Sequence, residues 1–191
     1  MKLKIFRYKK VKSTNDTAIN LIKSKKKKEG CVYAETQSKG RGTRGKKWVS
    51  KKGNLHSTIF FQLKDNYPPF NEFSIINPVI VSDVVKNFCL EKKISIKWPN
   101  DIFLNGKKIC GILQELITFN DKKFLVVGIG LNILSSPKII TKYESTNIYF
   151  ETKKKPSLNE IIKILINKYE NFLLNINLYK YSSFKKKAKL I

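Results

Sequence analysis

The sequence predicts an α+β chain, a mixed and mostly antiparallel sheet flanked by helices. Runs rich in β-branched and aromatic residues alternate with runs that carry helix caps and helical apolar spacing. Asn105-Gly106 stands between two apolar runs, the strongest short-range signal for an antiparallel hairpin. At 191 residues, 41% of them hydrophobic, the chain is long enough for one domain with a real core.

Residues 3–8 alternate loosely and give a first strand. Ser13-Thr14-Asn15-Asp16 supplies cap residues, so a helix starts there, runs into Lys25–Lys28 and stops at Gly30. Ser13, Thr14 and Asn15 are either a plain N-cap or polar groups turned to a ligand at the helix start. A strand at Cys31–Glu35 leads into a glycine-rich run, and Asn54–Leu63 is a longer strand. It holds His56, the sole histidine, which has no carboxylate or cysteine at ligand spacing and reads as structural. Phe73–Leu90 is an apolar core helix with Pro78 near its first turn. Ile94–Trp98 is a strand that Pro99 breaks, the hairpin follows, and Phe124–Asn132 is a buried strand. Residues 138–156 are polar, basic and poorly periodic, a linking segment. Ser157 and Glu160 make a capping box ahead of apolar residues 161, 162, 165, 166, 169 and 173, and a last helical piece covers 178–188.

Two stretches carry chemistry. The first is Gln37-Ser-Lys-Gly40-Arg41-Gly42-Thr43-Arg44-Gly45-Lys-Lys-Trp48. Its glycines permit left-handed backbone and close approach, successive N–H groups make an anion-binding concavity, and Arg41 and Arg44 add forked donors. The run reads as a loop closing over an anion, with Trp48 as an aromatic surface at its end. It matches neither the P-loop nor the dinucleotide-binding glycine spacing.

The second runs from Lys97-Trp98-Pro99-Asn100-Asp101 through Lys108-Ile-Cys-Gly111 to Glu115. Asn100 and Asp101 sit at a strand break, where Asp101 is a turn former or a carboxylate for Mg²⁺ carried with phosphates. Strict alternation puts Lys108 and Gly111 on opposite faces, so a shared site needs a bulge between them. Gly128, Gly130 and Asn132 close the last buried strand as if leaving room for a flat ligand.

The net charge is +25, yet only three of the 39 basic residues are arginine and the lysines are spread evenly. That pattern is a compositional bias more than a nucleic-acid stripe, although it suits steering of an acidic protein partner. Cys31, Cys89 and Cys110 have no metal or redox spacing and read as reduced, partly buried thiols. The N-terminus lacks an apolar signal region and no run is long enough for a membrane span, so a cytoplasmic location is expected.

Taken in order, Ser13-Thr-Asn15, Glu35 to Trp48, Lys97 to Asp101, Lys108 to Glu115 and Gly128-Ile-Gly130-Leu-Asn132 resemble the catalytic domain of biotin protein ligases over about residues 5 to 175. The resemblance implies a fold like that of class II aminoacyl-tRNA synthetases and two-step chemistry. Biotin attacks ATP to give biotinyl-5′-AMP and pyrophosphate, and a lysine of the biotin carboxyl carrier protein then takes the acyl group. It implies catalytic roles for Arg41, Lys108 and Asp101, the last with Mg²⁺. Biotin would meet Ser13, Thr14, Asn15, Gln37, Gly40, Arg41, Gly42, Thr43, Lys108, Gly111, Gly128 and Gly130. The nucleotide would meet Arg41, Arg44, Trp48, Asn100 and Asn132, the last near the phosphates. The partner implied is the carrier domain of acetyl-CoA carboxylase or another biotin-dependent carboxylase, with no specific DNA, no membrane, and a monomer or homodimer.

Three departures accompany the likeness. Thr43 stands where the family usually has arginine, which implies looser retention of biotinyl-AMP. The chain is expected to be a single catalytic domain over 1–191, without the N-terminal DNA-binding domain of repressor-type members and without the small C-terminal SH3-like domain. Rival readings are a lipoate ligase or octanoyltransferase of the same fold, and a non-catalytic basic nucleic-acid-binding protein.

Overall fold

The computed structural model describes residues 2–137 and 143–188. Seven strands form one sheet: β1 (Ile5–Val11), β2 (Glu29–Gln37), β3 (Leu55–Gln62), β4 (Ile94–Lys97), β5 (Asp101–Leu104), β6 (Lys107–Phe119) and β7 (Lys122–Leu131). Their order is β1-β2-β3-β7-β6-β5-β4; β1 and β2 run parallel and every other neighbouring pair is antiparallel. The helices are α1 (Thr14–Lys25), α2 (Phe73–Lys86), α3 (Ile148–Thr152), α4 (Leu158–Leu174) and α5 (Tyr181–Lys187). The expected α+β architecture is the observed one.

Both faces of the sheet are covered, and that explains the uninterrupted apolar run of β7. Leu125, Val127, Ile129 and Leu131 face the main core, where α2 and α4 pack. α4 buries Ile161, Ile162, Leu165, Ile166, Tyr169 and Leu173, the helical stripe the sequence spaces out. On the opposite face Phe124 and Val126 meet α1 through Ala18, Leu21 and Ile22. The same face continues as Gly128 and Gly130, beyond the reach of α1's apolar stripe. Large side chains thus give way to glycine where the helix begins, and a hollow opens above the sheet.

The hairpin forms as the sequence requires, with Asn105 at φ 50° and Gly106 at φ 79°, the left-handed pair that a two-residue turn needs. Several expectations are corrected. α1 ends at Lys25, with Lys26 in the left-handed conformation, and Gly30 lies inside β2. Pro78 is the sixth residue of α2, not in its first turn, and Asn77 beside it is buried and bonded to Tyr169 and Gln114. Residues 138–142 of the expected linking segment lie outside the described residues; the remainder contains α3 and a bridge from Ser145 to Lys108. All three cysteines are free and fully buried. Among the described residues no helix is long and apolar enough to cross a membrane.

Candidate active site

The hollow above Gly128 and Gly130 is a cavity of about 300 Å³, a size suited to a small organic ligand. Its walls come from the start of α1, the glycine loop, the β5–β6 hairpin, the end of β7, and Pro137, Tyr143 and Ser145. Nearly every residue singled out in the sequence meets there. Ser13, Thr14, Asn15, Gln37, Arg41, Gly42, Thr43, Trp48, Asn100, Asp101, Lys108, Gly111, Gly128, Gly130 and Asn132 all line it. Gly40 and Arg44 do not: Gly40 is buried beneath the loop, where a Cβ would stand 2.5 Å from the Trp48 carbonyl, and Arg44 is exposed.

A register shift in β6 brings Lys108 and Gly111 to one face. Ile102 pairs with Cys110 but Phe103 pairs with Lys108, so Ile109 is an extra residue. Ile109 and Cys110 both turn into the core, leaving Lys108 and Gly111 on the cavity side. Lys108 Nζ sits 2.8 Å from Asp101 Oδ1, which also accepts from Asn100 Nδ2 at 2.9 Å. One mostly buried carboxylate thus holds an ammonium and an amide at the strand break.

At the other end the polar groups form a chain. The Ser13 side chain caps α1. Gln37 Oε1 accepts from Thr14 N and Oγ1 at 2.7 and 3.0 Å, and Gln37 Nε2 donates to Ser50. Asn15 Nδ2 donates to Glu115 at 2.7 Å and to the Leu113 carbonyl, while its Oδ1 accepts from Thr58 at 2.7 Å. Both amides are therefore locked in orientation.

The loop itself is tied down. Arg41 donates from Nη1 and Nη2 to Glu115 at 2.9 and 2.8 Å, and from Nη2 to Asp16 at 2.8 Å. Its pKa is raised above the ordinary value chiefly by the bond to Glu115. Of the loop glycines after Gly40, only Gly45 takes positive φ, and Arg44 beside it is left-handed too. Trp48 lies flat on the cavity floor: a methyl at Gly130 would stand 2.6 Å from its Nε1, and one at Gly111 2.8 Å from Cζ3. The space above Gly128 is filled by Asn15, whose Cγ would be 3.0 Å from such a methyl. The three glycines therefore seat protein side chains directly, where the sequence reading had them open to the ligand.

Two buried polar atoms in the cavity wall have no partner: Trp48 Nε1, a donor, and Asn132 Oδ1, an acceptor. Asn132 Nδ2 is already given to the Thr146 carbonyl at 3.0 Å, which fixes the amide with its oxygen unpaired. His56, by contrast, is buried on β3 with Nε2 against the Lys51 carbonyl and lies outside the cavity lining. Its expected structural role fits this placement.

A family model described as the biotin/lipoate A/B protein ligase family matches residues 8–132. The chain belongs to this family. Among curated relatives, the bifunctional ligase/repressor BirA of Escherichia coli K12 is 34% identical over 125 residues, 64% of this chain and 38% of that protein. Biotin–protein ligase 2 of Arabidopsis thaliana is 40% identical over 110 residues, 54% of this chain and 32% of that one. The chain thus spans roughly a third to two fifths of the length of these relatives. Among solved structures, biotin protein ligase from Aquifex aeolicus in complex with biotin and ATP superposes with a TM-score of 0.81 at 28% identity, covering 98% of this chain and 78% of that one. The class II synthetase-like fold is shared with these ligases.

The family fold makes sense of residues that sequence reasoning left unassigned. Glu115 shares a strand face with Gly111 and Leu113 but stands behind the cavity lining, bonded to Arg41 and Asn15, which do line it. Lys46 and Lys47 line the cavity with no side-chain partner among the described residues. Tyr143 and Ser145, on the far wall, come from a stretch with no periodicity to announce them.

Proposed function

We propose that residues 1–191 form one ligase-type catalytic domain that attaches biotin to a lysine of a biotin carboxyl carrier domain through biotinyl-5′-AMP. The observation that carries this reading is the polarity of the cavity from end to end. Ser13, Thr14 and Gln37 offer hydrogen-bonding groups at one end, and cations gather at the other. A cyclic urea needs the former, whereas the dithiolane of lipoate or an octanoyl tail has nothing to bond there.

In the first step a biotin carboxylate oxygen attacks the α-phosphorus of ATP, a P–O bond forms, and pyrophosphate leaves with the electrons of the bond that breaks. Two anions must approach, so the protein's work is positioning and charge neutralisation. Lys108 supplies an ammonium from the sheet, held in place by Asp101. Lys46 and Lys47 supply two from the loop. The Arg41 guanidinium is already committed to two carboxylates, so the grip on the anion passes to these lysines and the loop amides.

Asp101 is a lone carboxylate, and no cluster of three or more metal-binding side chains exists among the described residues. That donor set fits Mg²⁺ arriving with the triphosphate, one carboxylate plus phosphate oxygens. The ion would draw charge from the departing pyrophosphate. Asn132 presents a bare acceptor oxygen, which disfavours a phosphate and suits a donor such as the exocyclic amine of adenine. Its role therefore moves from the phosphates to the base. In the second step a neutral lysine amine attacks the acyl carbon, the C–O bond to phosphate breaks, and AMP departs as the amine loses a proton.

The test is transfer to protein. Incubation with biotin, MgATP and a purified carrier domain should add one biotin, read by mass spectrometry, and the carrier with its acceptor lysine changed to arginine should gain none. Transfer of lipoyl or octanoyl groups in place of biotin would overturn the reading.

A further inference from the structure

We propose that Arg41 is a positioning residue, a latch that holds the glycine loop closed over the cavity through Glu115, and that Glu115 by the same contact fixes Asn15 on the cavity floor. The nature of the substrate rests on the ligase reading above; the latch itself does not.

The Glu115 carboxylate receives three hydrogen bonds, two from the Arg41 fork and one from Asn15 Nδ2. Asp16, at the start of α1, takes a further bond from the same guanidinium. Among the described residues these are the only ion pairs joining residues 38–50 to the rest of the protein. A lone surface pair would matter little, but a forked, partly buried pair inside a network holds its geometry.

What Arg41 holds is more than its own side chain. Its backbone bridges to Lys47, Gly42 N donates to the Lys46 carbonyl at 2.7 Å, and Trp48 N donates to the Gly40 carbonyl at 2.9 Å. Residues 40–48 are therefore tied together as one small hairpin. Fixing Arg41 fixes Lys46 and Lys47 in the wall and keeps Trp48 seated on Gly111 and Gly130. Through Glu115 the same anchor reaches Asn15, whose other contacts run to Leu113 and Thr58. The loop and the helix start share one carboxylate carried on β6, and Asn15 extends the anchor to β6 and β3.

The test compares Arg41→Gln, Glu115→Gln and the double variant, with Arg41→Lys as a milder change that keeps the charge. Each is first checked for a cooperative melt. Ligand-free protein is then treated with trypsin and cleavage after Arg44, Lys46 and Lys47 is followed by mass spectrometry. Either single variant should speed that cleavage about tenfold, the size of a coupling inside one ion-pair network, and the double should be no faster than the singles. In biotin-dependent pyrophosphate exchange the variants should raise KM for biotin and leave kcat within a few-fold, and Arg41→Lys should fall between. Unchanged cleavage in Glu115→Gln would overturn the latch. So would a drop in kcat of about a hundredfold or more in Arg41→Gln with Glu115→Gln neutral, the mark of a group acting on the reacting atoms. Proteolysis needs no substrate, so failure of the ligase reading leaves that arm standing.

Discussion

Gly130→Ala gives the sharpest view of how the cavity is built. Gly130 has an ordinary strand backbone, so alanine is not excluded by conformation; it is excluded by Trp48. The new methyl would stand 2.5 Å from the indole Cζ2 and 2.6 Å from Nε1, well inside contact distance. Ile59 and Ile112 lie in the core on the neighbouring β3 and β6 and both strands are paired with β7, so the sheet cannot yield readily. The indole must lift off. Overpacking of this kind costs about 1–3 kcal/mol, and a domain of this size loses roughly 2–4 °C of Tm per kcal/mol. The protein has two tryptophans, and Trp98 is 58% exposed. In a Trp98→Phe background the emission therefore reports Trp48 alone. Gly130→Ala should shift that emission to the red, lower Tm by several degrees, and weaken nucleotide binding more than biotin binding. Gly111→Ala, whose methyl meets only the ring edge at 2.8 Å, should do the same more mildly. An unshifted spectrum with an unchanged Tm would refute the seating of Trp48 on these glycines.

Other outcomes follow from the same geometry. Desolvation pulls the pKa of His56 below its ordinary 6.5, outweighing the bond to Lys51. The unfolded chain then binds the extra proton, so stability is full above about pH 6.5 and declines below it; denaturant melts should show this, and His56→Gln should flatten the dependence. Burial pushes Cys31 to about 12, Cys89 to about 11 and Cys110 higher still, so no thiol should react with a disulfide reagent at neutral pH until denaturant exposes all three. Thr43→Arg should slow release of biotinyl-AMP in the absence of acceptor, measured by rapid filtration; an unchanged release rate would show that Thr43 does not set retention.

Much of the fold was legible because its signals are local. Asn105-Gly106 dictates a turn, Ser157 caps α4, and the stripe at 161–173 can only be a buried helix face. The meeting of the two motif stretches in one cavity could be anticipated, but its wiring could not. Alternation placed Lys108 and Gly111 apart, and only the extra residue at Ile109 reconciles them; a bulge is fixed by tertiary packing, here the burial of Ile109 beside Cys110. Arg41 reads as an anion ligand in any glycine-rich loop, and nothing in its neighbours reveals that Glu115, 74 positions away, claims its fork. The glycines of β6 and β7 signalled close approach correctly, without saying that Trp48 and Asn15 are what approaches. Residues 143–147 escaped because a cavity wall made of irregular chain has no period to detect.

The central claim is that biotin and ATP meet in this one cavity and react there. Exchange of labelled pyrophosphate into ATP, measured without any acceptor protein, tests it most directly. The account predicts exchange that requires biotin and is lost in Lys108→Ala, a variant that also leaves Asp101 without its cation. Exchange driven by lipoate or octanoate but not biotin, or biotin-driven exchange that survives loss of Lys108 undiminished, would contradict it.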